Sequence, residues 1–119
     1  MQIGQVAERT GLSLHTLRHY DEVDLLRPSA RSEGGFRLYT EDDVARLMVI
    51  RRMKPLGFSL EQMRELLGVV DALPTASDDD EADLRRRLAG FVELAEDAHR
   101  RMLDRVAMAE ELLEQLRSR

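Results

Sequence analysis

The sequence predicts a mainly α protein: a winged helix-turn-helix head with a small β-hairpin wing, followed by a long C-terminal coiled-coil helix. Three observations carry this. Two short helical patterns joined by a Gly-containing turn fill the first 22 residues, which is the helix-turn-helix pattern. A small, polar, Gly34-Gly35-centred stretch between Leu26 and Tyr39 suits a hairpin. Residues 80–117 then repeat apolar positions every three or four residues with no Pro. The expected organisation is a head over residues 1–70, a linker over 71–79 and a coiled-coil helix over 80–119.

The first helix reads over residues 3–10, with Ile3, Val6 and Ala7 on one side. Gly11 stops it by accepting the left-handed backbone that ends helices. Ser13 is a good N-cap for a second helix from Leu14 to Glu22, because its hydroxyl accepts a free backbone N–H. Leu14 and Leu17 define the expected buried side of that helix. Residues 26–39 read as the hairpin, in which Phe36-Arg37-Leu38-Tyr39 alternates like a strand. Thr40-Glu41-Asp42-Asp43 resembles a capping box with Asp in place of Glu. The helix it opens has apolar residues all round (Val44, Leu47, Met48, Val49, Ile50, Met53), so burial from more than one side is expected. Pro55 predicts a kink or an early stop, and Gly57 ends the element. Ser59-Leu60-Glu61-Gln62 is a capping box for the next helix, with Leu60, Met63, Leu67 and Val70 as its seam.

Pro74, Ser77 and Asp78 to Asp80 mark the linker, and the acid cluster also suits the positive end of the helix that follows. The final helix is expected to be roughly 55 Å long at 1.5 Å per residue, too long for a monomer of this size to cover. Leu84, Leu88, Phe91, Ala95, Ala98, Met102, Val106, Ala109, Leu113 and Leu116 form a heptad seam with one 4–4 step, a stutter that relaxes the supercoil. All ten are expected at a dimer interface.

Composition narrows the function. The chain has 119 residues, no Cys and a net charge of −5. Without cysteine there is no disulfide, thiolate metal site, iron–sulfur ligation or catalytic thiol. No apolar run could span a membrane and no secretory signal opens the chain, so a soluble, cytoplasmic protein without membrane association is expected. The acidity is unevenly spread. Residues 1–70 balance ten basic against ten acidic side chains, whereas residues 71–119 carry eight against thirteen. A neutral head still binds nucleic acid where its arginines share a face, because phosphate attraction is local.

That face is expected on the second helix. Opposite Leu14 and Leu17 lie His15, Thr16 and His19, flanked by Arg18, Tyr20 and Glu22. Arg forks onto a guanine edge or a phosphate, and Thr, His and Tyr each bond phosphate or base, as a helix in the major groove requires. The competing reading is an ordinary solvated helix surface. On the hairpin, Arg27, Arg31 and Arg37, with Tyr39, are placed to grip phosphates beside the groove. The competing reading there is a hairpin that caps the core with Phe36 and Leu38 buried. Arg51, Arg52 and Lys54 form a third basic cluster, read first as a solvated face. His15 and His19 have a metal-ligand spacing, but two ligands do not make a site, so no metal and no cofactor are expected. No phosphate loop, carboxylate pair or nucleophile–base spacing asks for an enzyme.

Taken together, Ile3-Gly4-Gln5-Val6-Ala7, Thr10-Gly11-Leu12-Ser13, Thr16-Leu17-Arg18-His19-Tyr20-Asp21, Leu25-Leu26-Arg27-Pro28, Gly35-Phe36-Arg37-Leu38-Tyr39 and Leu56-Gly57-Phe58-Ser59-Leu60 resemble, in order and spacing, the MerR family of bacterial transcription regulators. The resemblance covers about residues 2–70. It implies a homodimer held by an antiparallel coiled coil and bound to a palindromic site on double-stranded promoter DNA. It also implies activation by bending and underwinding promoter elements spaced too far apart for RNA polymerase. Arg18, His19 and Tyr20 match the family's recognition-helix run, and Arg37 and Tyr39 match its wing. His19 stands where the family commonly has Tyr, which introduces a group that titrates near pH 6–7. The absence of Cys departs from the metal- and redox-sensing members. No ligand domain follows the coiled coil, so the chain either lacks a large effector pocket or is truncated. The alternative function is a coiled-coil interaction module whose head binds protein and not DNA.

Overall fold

The computed structural model describes residues 1–119, and the chain divides into two compact units, Met1–Leu67 and Gly68–Arg119. In the first unit, α1 (Ile3–Thr10) and α2 (Leu14–Glu22) are joined by a short turn. The hairpin strands β1 (Ala30–Arg31) and β2 (Arg37–Leu38) follow, then α3 (Glu41–Met53) and the start of α4 (Leu60–Ala72). The second unit holds the end of α4, a 3-10 turn at Leu73–Thr75 and α5 (Asp78–Arg117). The expected mainly α fold with a small hairpin is the observed one.

Local chemistry sets the helix boundaries. Gly11 adopts φ 73° and its N–H donates to the Ala7 carbonyl, which ends α1. The Ser13 hydroxyl accepts from the Thr16 N–H at 3.0 Å and starts α2. Thr40 and Asp43 cap each other reciprocally at the start of α3. Ser59 and Gln62 do the same for α4, at 2.9 and 3.1 Å. Pro55 has the effect its chemistry predicts: α3 stops at Met53 and tightens into a 3-10 turn at Lys54–Leu56, closed by Gly57 at φ 84°.

The end of α2 has a feature that the sequence did not signal. Asp24 takes the left-handed conformation, φ 58°, as the only non-Gly residue with positive φ. Its N–H donates to the Asp21 carbonyl at 3.2 Å and the Leu25 N–H donates to the Tyr20 carbonyl at 2.9 Å, the paired bonds of a Schellman motif. An aspartate here fills a place that usually goes to glycine. Arg64 of α4 also donates to the Val23 carbonyl, so a guanidinium meets the negative end of α2.

Val6, Leu17, Tyr20, Leu25, Leu26, Tyr39, Val44, Leu47, Ile50, Met53, Met63 and Leu67 form one buried cluster. The apolar residues of α3 are buried or half-buried all round, as their scatter in the sequence predicts. Arg9 of α1 forks onto Glu41 of α3 at 2.6 and 2.8 Å. The Arg9 hydrogen bond lowers the Glu41 pKa below its ordinary value. The stability this pair adds is therefore present above the usual carboxylate range and is lost as pH falls through the depressed value.

The second unit bears on two expectations. Residues 71–79, read as the linker, are mostly helical: α4 continues to Ala72, a 3-10 turn spans Leu73–Thr75 and α5 begins at Asp78. Ser77 is the reason: its hydroxyl accepts the Asp80 N–H at 3.3 Å, so it acts as an N-cap and the acidic run becomes the first turn of the helix. The ten-residue seam is also not uniformly available to a second chain. Phe91 and Ala98 are buried and Leu84, Leu88, Ala95 and Met102 half-buried within the single chain, while Val106, Ala109, Leu113 and Leu116 are exposed. No helix is long and apolar enough to cross a membrane.

Relieving the left-handed aspartate should stabilise the head. Asp24→Gly is expected to raise its stability by about 0.5–1 kcal/mol, while Asp24→Ala lowers it. Thermal unfolding followed by circular dichroism checks both signs.

Candidate nucleic-acid interface

The α2 helix presents His15, Arg18, His19 and Glu22 to solvent, with Thr16 half-exposed. Thr16 is partly committed, because its Oγ1 accepts a hydrogen bond from the Ser13 hydroxyl at 2.8 Å. The exposed imidazoles and the Arg18 guanidinium stand where a groove-entering helix needs donors. His15 and His19 share that surface without a third ligand: no group of three or more His, Asp or Glu side chains converges on a metal-sized site.

The buried side of α2 is the expected one, extended by Tyr20 and Asp21. Leu14 is 40% exposed, whereas Leu17, Tyr20 and Asp21 face inward. Asp21 lies two turns from Leu14 and so shares its side of the helix, while Leu14 itself sits at the exposed first position. Asp21 Oδ2 accepts from Arg37 Nε at 2.8 Å and from an Arg31 terminal nitrogen at 3.0 Å. A buried carboxylate with two guanidiniums is a satisfied group, and its desolvation is offset by charge-assisted bonds. The Asp21 hydrogen bond raises the Arg37 pKa further, so that guanidinium stays charged.

Tyr20 and Tyr39, both expected at the interface, lie in the core at 5% and 3% exposure. Burial raises the pKa of both phenols, which remain neutral. The Tyr39 hydroxyl is enclosed and has no partner in the protein. The expected alternation is not kept, since Arg37 and Leu38 are both half-buried. Tyr39 points in, whereas Phe36, read as a core candidate, is 64% exposed at the wing tip beside Gly34.

The hairpin is short: Ala30 pairs with Leu38 and Arg31 with Arg37, antiparallel. It is held at three places. The Arg31 and Arg37 bonds to Asp21 tie both strands to α2. The Ser29 hydroxyl donates to Asp43 Oδ2 at 2.6 Å, which ties the wing base to the α3 cap. Gln2 bridges Leu38, and the Met1 ammonium and the Tyr39 N–H exchange hydrogen bonds with each other's carbonyls at 2.7 Å. The sequence reading missed Asp21 and Asp43 as anchors. Of the predicted wing residues, Arg31 is half-exposed and reaches solvent, Arg37 is largely covered and Tyr39 is interior. Arg27 is exposed and paired with Asp24. Arg51, in the third basic cluster, places its guanidinium beside Gly11 in the turn between α1 and α2.

A helix-turn-helix followed by a wing bound to its second helix is a known combination, and the model of the MerR helix-turn-helix regulatory proteins matches residues 1–68. The chain belongs to the MerR family. Among its relatives, the Bacillus subtilis transcriptional activator mta is 47% identical over 66 residues, 56% of this chain and 26% of that protein. The Escherichia coli regulator ZntR is 46% identical over 68 residues, 57% of this chain and 48% of that protein. The chain therefore spans about half or less of the length of these relatives. Among solved structures, the MerR-family regulator HiNmlR bound to promoter DNA superposes with a TM-score of 0.71 at 26% identity, covering 96% of this chain and 84% of that one. The N-terminal fragment of the Bacillus subtilis multidrug transporter activator, MtaN, gives 0.56 at 33% identity, covering 95% and 97%.

In this MerR-family head the position of Tyr39 makes a clear prediction. Tyr39→Phe removes a hydroxyl that has no partner in the protein, so stability should hold or rise by up to about 1 kcal/mol, with DNA affinity unchanged. A tenfold loss of affinity in fluorescence anisotropy would restore Tyr39 as a DNA contact.

Proposed function

We propose that the chain is a sequence-specific DNA-binding transcription regulator that acts as a homodimer on a palindromic promoter site. One observation carries the reading: an exposed helix face of His15, Arg18 and His19 lies on the same helix to which a basic hairpin is bound through Asp21. Such a unit offers a groove-reading helix and a neighbouring phosphate-contacting wing. HiNmlR, with the same fold, is described bound to promoter DNA, which supports the same partner here.

In this reading Arg18 and His19 read base edges or flanking phosphates, and Arg31 contacts the backbone beside the groove. Two copies pair in antiparallel fashion through α5, with Val106, Ala109, Leu113 and Leu116 as the seam left free by the single chain. A two-fold dimer places two recognition helices on a two-fold site. Bending and underwinding the promoter to realign elements for RNA polymerase is the mechanism proposed for regulation. The deformation energy is offset by phosphate contacts on both half-sites.

Three measurements test it. Arg18→Ala should weaken binding to a duplex selected by the parent protein about tenfold or more, as expected for loss of ~1–3 kcal/mol from one arginine contact, with an unchanged circular dichroism spectrum. Parent-like affinity would remove α2 from the interface. Leu113→Glu should yield monomers in sedimentation velocity, and a persistent dimer would place the interface elsewhere. Where a cationic His19 meets a phosphate, affinity should tighten as pH falls, and His19→Asn should flatten that profile.

A further inference from the structure

Asp21 is an acidic side chain in the middle of a surface read as DNA-binding. A carboxylate near phosphate should weaken binding, and its removal should help. Its geometry argues otherwise. Asp21 is 7% exposed, so it does not face a ligand. Its Oδ2 accepts from both wing arginines, which come from different strands and pair with each other in register. The two arginines are not equivalent. Arg37 is the more covered, with 25% of its side chain exposed, and it bonds through Nε, the nitrogen nearest its backbone. Arg31 is 49% exposed, bonds through one terminal nitrogen, and donates the other to the Gly35 carbonyl at 3.3 Å.

We infer that Asp21 and Arg37 form a strut that fixes the wing's angle against the recognition helix and thereby sets which DNA the head accepts, while Arg31 is the wing's phosphate-facing cation. Asp21 and Arg37 are then positioning residues. The inference rests on the DNA-binding reading and deepens it, because it replaces two equivalent phosphate grips by one strut and one contact. Specific binding needs helix and wing to meet groove and backbone together, whereas non-specific binding needs only positive charge. Loss of the strut should therefore separate the two.

The test compares a duplex enriched by the parent chain from a random pool with a scrambled duplex of equal composition, each titrated against salt. Asp21→Asn should bind the selected duplex about tenfold more weakly. It should bind the scrambled duplex at least as tightly as the parent does, with a salt slope steeper by about one, because a released guanidinium now reaches phosphate. Unfolding of the head would instead weaken both duplexes together, and that outcome overturns the inference. A second arm uses Arg37→Gln and the double variant. Two parts of one strut lose discrimination no further when both are removed, whereas independent contacts multiply their losses. Multiplied losses, or an Asp21→Asn variant that discriminates as well as the parent, overturn the strut alone. A parent chain that does not discriminate the duplexes overturns the DNA-binding reading and the strut with it.

Discussion

The head is organised around one buried carboxylate. Asp21 sits on α2 between two core residues in chain order, Leu17 and Leu25, and its charge leaves water only because two guanidiniums meet it. A buried ion that loses its partners is among the more damaging changes a small domain can suffer. The requirement works in both directions. The helix must turn its acidic residue inward, and the hairpin must approach closely enough to supply the arginines. Asp21 and Leu17 share the packed side of α2, so the same packing turns His15, Arg18 and His19 outward.

A sheet of two-residue strands has little stability of its own. This one persists because its anchors lie outside it, at the α2 carboxylate, at the α3 cap through Ser29 and Asp43, and at the chain's first two residues. Asp43 serves two elements at once, since it caps α3 and accepts the Ser29 hydroxyl. The left-handed Asp24 and the Arg64 bond to Val23 fix where α2 stops and where the chain turns toward the wing. The wing is a rigid extension of the helical core more than an independent hairpin.

What could be read in the sequence follows from how far each signal reaches along the chain. Helix boundaries were legible at Gly11, Ser13, Thr40, Pro55 and Ser59, because caps and breakers act within three or four residues. The length of α5 was legible from its uninterrupted helical pattern. Asp21, by contrast, is bonded to residues 10 and 16 positions away. No local pattern separates such a carboxylate from a solvated one. Two-residue strands are too short for alternation to fix parity, so Phe36 and Tyr39 exchanged places between expectation and structure. The aspartates after Ser77 were legible as suited to a helix start, whereas Ser77 itself, the cap, was read with Pro74 as linker.

The division of the α5 seam bears on dose. The exposed apolar side chains of α5 extend beyond Val106, Ala109, Leu113 and Leu116, since Val92, Leu94, Leu103, Met108 and Leu112 are exposed as well. If two copies pair through this helix, as proposed, the pairing follows mass action. Wherever the single chain predominates, the amount of paired protein would then rise with the square of its concentration, and a small change in synthesis would produce a larger change at a two-fold DNA site.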